Sequence, residues 1–217
     1  MCNSVWYENS KRNILATSQA NDFDQALTEW FFTGKVRDYK HSRTSCEMCE
    51  HEQLRYQFII KNKTNGNHLH VGSSCILKFS KIAIFDAHGK RLSGDYSRSN
   101  ALDDALASLH KQLMLAPLRA LWKANIKFRP FIEKHVKYFE KNSAFYPSAL
   151  VALFKSLVRN HISYDPVLFP VYLRNNNSKE AIVAMTESDF KLIEPSLKAG
   201  QQKRIMEQRV KSPCIQK

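Results

Sequence analysis

Three of the five cysteines are spaced for chemistry. Cys46 and Cys49 form a C-x2-C pair, and Cys75 follows 26 residues after Cys49. Thiolates hold Zn2+ in a tetrahedron with arms of about 2.3 Å. Two ligands three residues apart can share one ion, and a hairpin can return a third. The segment between supplies that hairpin. Arg55–Lys61 alternates with Tyr56, Phe58 and Ile60 on one face, Thr64-Asn65-Gly66-Asn67 forms the turn, and the return strand is about His68–Val71. The odd cysteine count argues against a disulfide framework, and the absence of a βαβ pattern after the pair argues against a thioredoxin-like redox motif. The expected cofactor is structural Zn2+ on Cys46, Cys49 and Cys75. Lys78 stands where a second C-x2-C would close the set. His51, directly after the pair, is the first choice for the fourth ligand, with His70, His68, His41 and Asp38 as alternatives. Glu50 occupies the position where zinc knuckles usually carry Gly.

The second chemical signal is charge. The 217 residues hold 33 Lys and Arg against 20 Asp and Glu, a formal net charge of +13. Residues 1–100 contribute 14 basic and 10 acidic groups, and residues 101–217 contribute 19 and 10, so the second half carries +9. Such an excess points to a polyanionic partner. Candidate phosphate contacts are Arg55, Lys61 and Lys63 on the hairpin, then Lys123, Lys127, Arg129, Lys134, Lys137 and Lys141, and finally Lys203, Arg204 and Arg209 near the end. Tyr56 and Phe58 share a face with Ile60 and are expected in the core; Tyr138 interleaves with the lysines of the second group.

Catalytic motifs do not accompany these features. No P-loop, nucleophile elbow or H-E-x-x-H stands in the sequence. A nuclease would need clustered carboxylates for Mg2+, and Asp86, Asp95, Asp103 and Asp104 are the candidates. Asp103-Asp104 is expected at a helix start, where it would complement the dipole.

The elements that must position these groups follow from capping and periodicity. Asn21-Asp22 opens a helix with Phe23, Ala26, Leu27, Trp30 and Phe31 on its apolar face, ended by Gly34. Ile82–Phe85 is a short strand. The polar run 93–100 is a linker and the domain boundary, and Asn100 caps a helix from Ala101 to about Leu115. Pro117 kinks that helix or begins the next. Phe131–Lys141 and Pro147–Arg159 are helices, Pro166–Leu173 an edge strand or loop, and 188–197 and 200–211 short closing helices.

Three stretches carry a family resemblance. They are Glu29-Trp-Phe-Phe-Thr-Gly-Lys-Val-Arg-Asp38, Cys46-Glu-Met-Cys-Glu-His-Glu-Gln-Leu-Arg-Tyr-Gln-Phe-Ile-Ile-Lys-Asn62 and Leu69-His-Val-Gly-Ser-Ser-Cys-Ile-Leu-Lys-Phe79. The chain resembles a group of bacterial and phage or mobile-element proteins whose motif reads EW-x-FTG, CxxC-x4-LRY-x-F-x-I-x-N and L-x-VGS-x-C-I-x-KF. Phe169–Leu173 and Gln201-Gln-Lys-Arg204 resemble the C-terminal half of that group. The resemblance implies a zinc module through Cys46, Cys49 and Cys75 and a mobile-element context, and it brings no catalytic residues.

The resulting expectation is an α+β chain. Residues 1–92 form a zinc-ribbon or treble-clef-like hairpin module with a covering helix, and residues 100–217 form a basic helical domain. The start lacks a signal-peptide pattern and no apolar run is long enough to span a membrane, so a cytoplasmic protein is expected. The expected function is non-enzymatic binding of DNA or RNA. The alternatives are a regulator that docks on an acidic host protein and a metal-dependent nuclease.

Overall fold

The computed structural model describes residues 5–40 and 43–210, and the backbone of Lys211. Among them it has nine α-helices and one three-stranded antiparallel sheet, so the α+β expectation holds. The chain divides into two compact units, Met1–Leu109 and His110–Lys217.

The first unit contains α1 (Val5–Thr17), α2 (Phe23–Thr28), β1 (Trp30–Asp38), β2 (Tyr56–Asn62), β3 (His68–Val71), α3 (Ser73–Lys78) and the start of α4 (Asp95–Ala124). The sheet order is β1-β2-β3. The hairpin lies where the sequence places it, with Phe58 opposite Val71 and Lys61 opposite His68. Its turn uses Gly66 at φ +80°, and Asn62 Oδ1 accepts the N–H groups of Thr64 and Asn65. As the central strand, β2 is buried on both faces: Phe58 and Ile60 on one, Gln57 and Ile59 on the other. Gln57 is satisfied there by donating to Ser45 O at 2.7 Å.

The helix expected through Phe31 stops at Thr28. Asp22 does cap it, accepting from Gln25 N at 2.9 Å. Beyond it, Trp30, Phe31 and Phe32 pair with Asn62, Lys61 and Ile60, because large aromatic side chains suit a sheet buried on its inner face. Gly34 is therefore no helix stop. It sits at φ +76° in the irregularity where the β1–β2 register shifts between Phe32 and Val36. Ile82–Phe85 makes single bridges to Phe31 and Arg91 and forms no regular strand.

Between helix and strand lies Glu29, 8 % exposed. Its carboxylate accepts the N–H groups of Gln19 (3.0 Å) and Ala20 (2.8 Å) and the Asn62 side-chain amide (2.6 Å). Asn62 in turn organises the hairpin turn, so one buried acid ties the α1–α2 connection to the tip of the hairpin. Burial alone would push this carboxyl up. The Gln19 amide, the Asn62 and Ala20 amides and the Lys63 charge outweigh it and hold the group below its ordinary 4.5.

The polar run expected as a linker is the first turn of α4. Asp103 and Asp104 consequently lie two turns inside the helix and not at its start. Two features recruit the run. Gly94 at φ +87° turns the chain inward, and Ser97 donates to the carbonyls of Ser93 and Gly94. Arg98, 2 % exposed, then donates to the carbonyls of Ile82 (2.9 Å), Ile76 (2.7 Å) and Phe79 (3.3 Å). Two of these belong to the end of α3, whose orphan acceptors it satisfies. The boundary between units falls inside α4, between Leu109 and His110, and not in the polar run 93–100.

The second unit contains the rest of α4, which runs unbroken past Pro117, then α5 (Arg129–Asn142), α6 (Pro147–Arg159), α7 (Asn176–Val183), α8 (Glu187–Ile193) and α9 (Ala199–Lys211). Pro147 opens α6 as expected. Pro166–Leu168 is a 3-10 turn, and Val171 then bridges Phe145. The core is aromatic: Phe145, Phe154, Phe169 and Phe190 are essentially inaccessible. No helix among the described residues is long and apolar enough to cross a membrane.

Two substitutions test these polar struts. Because Glu29 has a depressed pKa, its contribution is fully present above about pH 4.5 and is lost as pH falls through the lower folded value. Glu29→Gln should cost about 2–3 kcal/mol at pH 7 and flatten the acid limb of a denaturation-midpoint profile. Arg98→Ala leaves three buried carbonyls without their donor and should cost at least about 3 kcal/mol in the same measurement.

Candidate metal centre and basic surface

The C-x2-C pair sits in the excursion between β1 and β2. Asp38 and Arg55 close its base in a two-pronged ion pair (3.0 and 3.1 Å), and Thr44 and Leu54 exchange backbone hydrogen bonds across it. Cys75 comes from the first turn of α3, and Gly72 alone separates that helix from the end of β3. Cys46, Cys49 and Cys75 are all buried, and their sulfurs lie within 4.8 Å of one another. The Cys46–Cys75 separation is 3.7 Å. A tetrahedron with 2.3 Å arms has edges of about 3.8 Å, so the spacing suits a thiolate-bound metal. It does not suit a disulfide, whose sulfurs stand about 2.05 Å apart.

Backbone donors complete the knuckle. N–H groups of Cys49, Gly72 and Met48 point to Cys46 Sγ, with Gly72 at 3.4 Å, and the His51 N–H points to Cys49. The Cys75 thiol donates to Cys46 and draws it down to about 5, against burial and with help from the same N–H groups. Giving its proton to Cys46, together with burial, pushes Cys75 up, and burial pushes Cys49 up. The trio thus carries one readily formed thiolate, and a divalent cation would favour the other two.

Glu50 explains its departure from glycine. It adopts φ +64°, the left-handed conformation a glycine would supply at least cost. The side chain is used as a clamp: Arg12 and Asn13 donate to Glu50 Oε1 at 2.6 and 3.0 Å, and Asn13 also donates to Met48 O at 3.0 Å. Both partners come from α1, an element that capping and periodicity do not predict. Its amphipathicity is weak, and its contribution to the knuckle is through polar side chains.

The fourth-ligand candidates fall differently. His51 is exposed and lines the same cleft of about 470 Å³ as the three thiols, but no described His, Asp or Glu joins them within 4.8 Å. Asp38 is occupied by Arg55 and the Lys40 N–H. His70 faces Glu47, which accepts its backbone N–H at 2.6 Å, and His68 is exposed on the same strand face. His41, Cys2 and Cys214 lie outside the described residues.

Two of the expected phosphate contacts in the second unit are structural. Arg209, 7 % exposed, donates to the carbonyls of Ile182, Val183 and Met185 (3.1, 3.0 and 2.9 Å), pairs with Glu187 and lies over the Phe190 ring. It closes the end of α7 from within, and this overturns its assignment to nucleic acid. Arg129 donates to Trp122 O and stacks on the Trp122 ring at 3.9 Å. Lys123, Lys127, Lys134, Lys137, Lys141, Lys203 and Arg204 are exposed, and Lys63 is exposed beside half-buried Lys61. Phe58 is core, and Tyr56 packs against it beneath the Arg55 guanidinium. Asp86 and Asp104 share the wall of a shallow pocket, but among the described residues the thiol trio is the only set of three groups with metal-ligand spacing.

No protein-family model, curated protein or solved structure matches this chain.

The trio makes a direct prediction. Purified protein should carry one thiolate-bound divalent metal ion per chain, identified by elemental analysis. Cys46→Ser, Cys49→Ser or Cys75→Ser should each reduce this to a substoichiometric amount. Since the thiols must lose protons to bind, retention should weaken as pH falls, and chelation should lower the unfolding temperature of the wild type.

Proposed function

We propose that this chain is a non-enzymatic, zinc-stabilised nucleic-acid-binding protein of phage or mobile-element type. In this reading Zn2+ on Cys46, Cys49 and Cys75 holds a treble-clef-like first unit, and the second unit neutralises phosphate. The metal reading is supported by the 3.7 Å sulfur edge, the N–H donors around Cys46 and the return of Cys75 by the hairpin. Zinc would add folding energy to the first unit by fixing the knuckle and α3 on one ion.

The observation that carries the binding reading is α5. It turns Ile132, Val136 and Phe139 toward the core and leaves Lys134, Lys137 and Lys141 exposed, none of them in an ion pair among the described residues. Lys123 and Lys127 precede them along the chain, and Lys203 and Arg204 add exposed charge on α9. A row of cations fixed on a helix offers phosphates a defined register without base specificity.

A second reading draws on an apolar groove of about 510 Å³ between α4 and α5, floored by Leu115, Leu118, Trp122, Ile132 and Val136 and edged by both signs of charge, Arg119, Lys123 and Lys137 with Glu133 and Glu140. Its apolar floor and mixed-charge rim suit an amphipathic segment of a protein, and a complex that survives nuclease digestion would favour it.

The primary reading predicts steep salt dependence. Between 50 and 200 mM salt, affinity for a labelled oligonucleotide should fall on the order of 10³-fold if about six phosphates are neutralised. The triple variant Lys134→Gln, Lys137→Gln, Lys141→Gln should reduce the log–log salt slope by about 0.7–0.9 for each phosphate that no longer meets a cation. Absence of binding at 50 mM salt overturns the reading.

A further inference from the structure

Three tyrosines of the second unit form a cluster of their own. Tyr138 comes from α5, Tyr146 immediately precedes α6, and Tyr172 lies in the extended segment after the Pro166–Leu168 turn. The Tyr146 and Tyr172 rings stack, 6.2 Å apart at 17°. Tyr138 meets both edge-on at 5.9 Å. All three are half-buried, and none belongs to the aromatic and aliphatic core, which takes the neighbouring Phe139, Phe145 and Leu173 instead. The backbone fixes the arrangement: Tyr172 N donates to Phe145 O at 2.7 Å, and Phe145 N donates to Pro170 O at 2.8 Å. Tyr146 and Tyr172 are thus carried by segments held in mutual register.

Charge flanks the cluster on its own helix. Lys134 and Lys141 stand four residues before and three residues after Tyr138, spacings that share one helix face. Both are exposed. A partly accessible aromatic group set between cations is the combination that captures unpaired bases, since rings stack on base faces while lysines meet the adjoining phosphates. A duplex hides its base faces and offers the rings nothing.

We propose that Tyr138, Tyr146 and Tyr172 form a stacking platform for single-stranded nucleic acid, with Lys134 and Lys141 engaging the backbone on either side. This rests on the phosphate-binding reading and names its substrate class. A core role alone would not leave three rings packed on one another outside the core. The platform also selects no base, because every base presents a π face.

Fluorescence anisotropy of the full chain with labelled strands of about 20 nucleotides at 50 mM salt tests the platform. The ligands are a single strand, its duplex, and the same strand with abasic positions; the variants are Tyr138→Leu, Tyr138→Phe, Tyr172→Leu and the pair Lys134→Gln, Lys141→Gln. The single strand should bind more tightly than the duplex. Tyr138→Leu should weaken it about 5- to 100-fold with the salt slope unchanged, and Tyr138→Phe should bind as the wild type does. The abasic strand should bind more weakly to the wild type. If Tyr138→Leu fails to fold by circular dichroism, Tyr172→Leu and the abasic comparison on wild-type protein decide. Equal wild-type affinity for the normal and abasic strands, or full affinity in both leucine variants while the lysine pair is weakened, removes the platform and leaves phosphate binding standing. No binding of any strand by the wild type removes the phosphate reading and the platform with it.

Discussion

Three sulfurs within 4.8 Å of one another are a constraint on charge, and much of the first unit is arranged around it. One thiolate is readily accommodated at Cys46, where backbone N–H groups and the Cys75 thiol converge. Burial holds the proton on Cys49, and the hydrogen bond to Cys46 together with burial holds it on Cys75, with repulsion from the Cys46 thiolate adding to both. Thiolate coordination by a divalent cation reverses the sign of that interaction. The surrounding polar contacts serve the same geometry: Glu47 ties the knuckle to β3, Asn13 and Arg12 tie it to α1, and Asp38 with Arg55 closes its base. The knuckle is braced on three sides by side-chain bonds, so the trio's spacing does not depend on the thiols alone.

Buried arginine performs one task in both units. Arg98 collects three carbonyls around the end of α3, and Arg209 collects three around the end of α7. Short helices leave a large fraction of their carbonyls without intrahelical donors, and α3 has six residues while α7 has eight. A guanidinium with five donors can close such an end from one residue, where a lysine would reach fewer acceptors in a fixed plane. This accounts for Arg209 being core despite its place in a basic cluster of the sequence. It also accounts for the helical state of 95–100: Arg98 gains buried acceptors only if the run is ordered against the first unit.

The legibility of the sequence varies with the kind of signal. The hairpin is readable because alternation and Asn-Gly are local, and α6 because Pro147 marks its first residue and its apolar face is continuous. The three thiols are readable because spacing encodes them. At β1 the sequence misleads, because Trp30 and Phe31 extend the helical periodicity of Phe23, Ala26 and Leu27; only the pairing with Asn62 and Lys61, a nonlocal fact, turns them into strand. The expected linker misleads in the same way, since Ser93–Asn100 is polar by composition and its order comes from acceptors donated by residues 76–82. In α1, Asn9, Arg12 and Asn13 look like surface until the knuckle they hold is in view. The tyrosine cluster draws on residues 138, 146 and 172, and no periodicity links them.

Net charge changes meaning under these observations. A formal +13 counts every cation alike, yet Arg98 and Arg209 are interior donors and Arg129 is committed to Trp122. Arg55 is balanced by Asp38 at the base of the knuckle excursion. What remains available to a polyanion is carried chiefly by lysines, which present point charges on flexible stems and suit phosphate without imposing bidentate geometry. On α5 those stems project from a helix whose opposite side is fixed by Ile132 and Phe139 in an aromatic core. The field they create therefore has a fixed location even though each ammonium is mobile. A flexible charge on a rigid base favours electrostatic capture of a polyanion over reading of sequence; under the proposed nucleic-acid reading, discrimination would have to come from rigid groups set beside the lysines, and on this helix the group so placed is Tyr138.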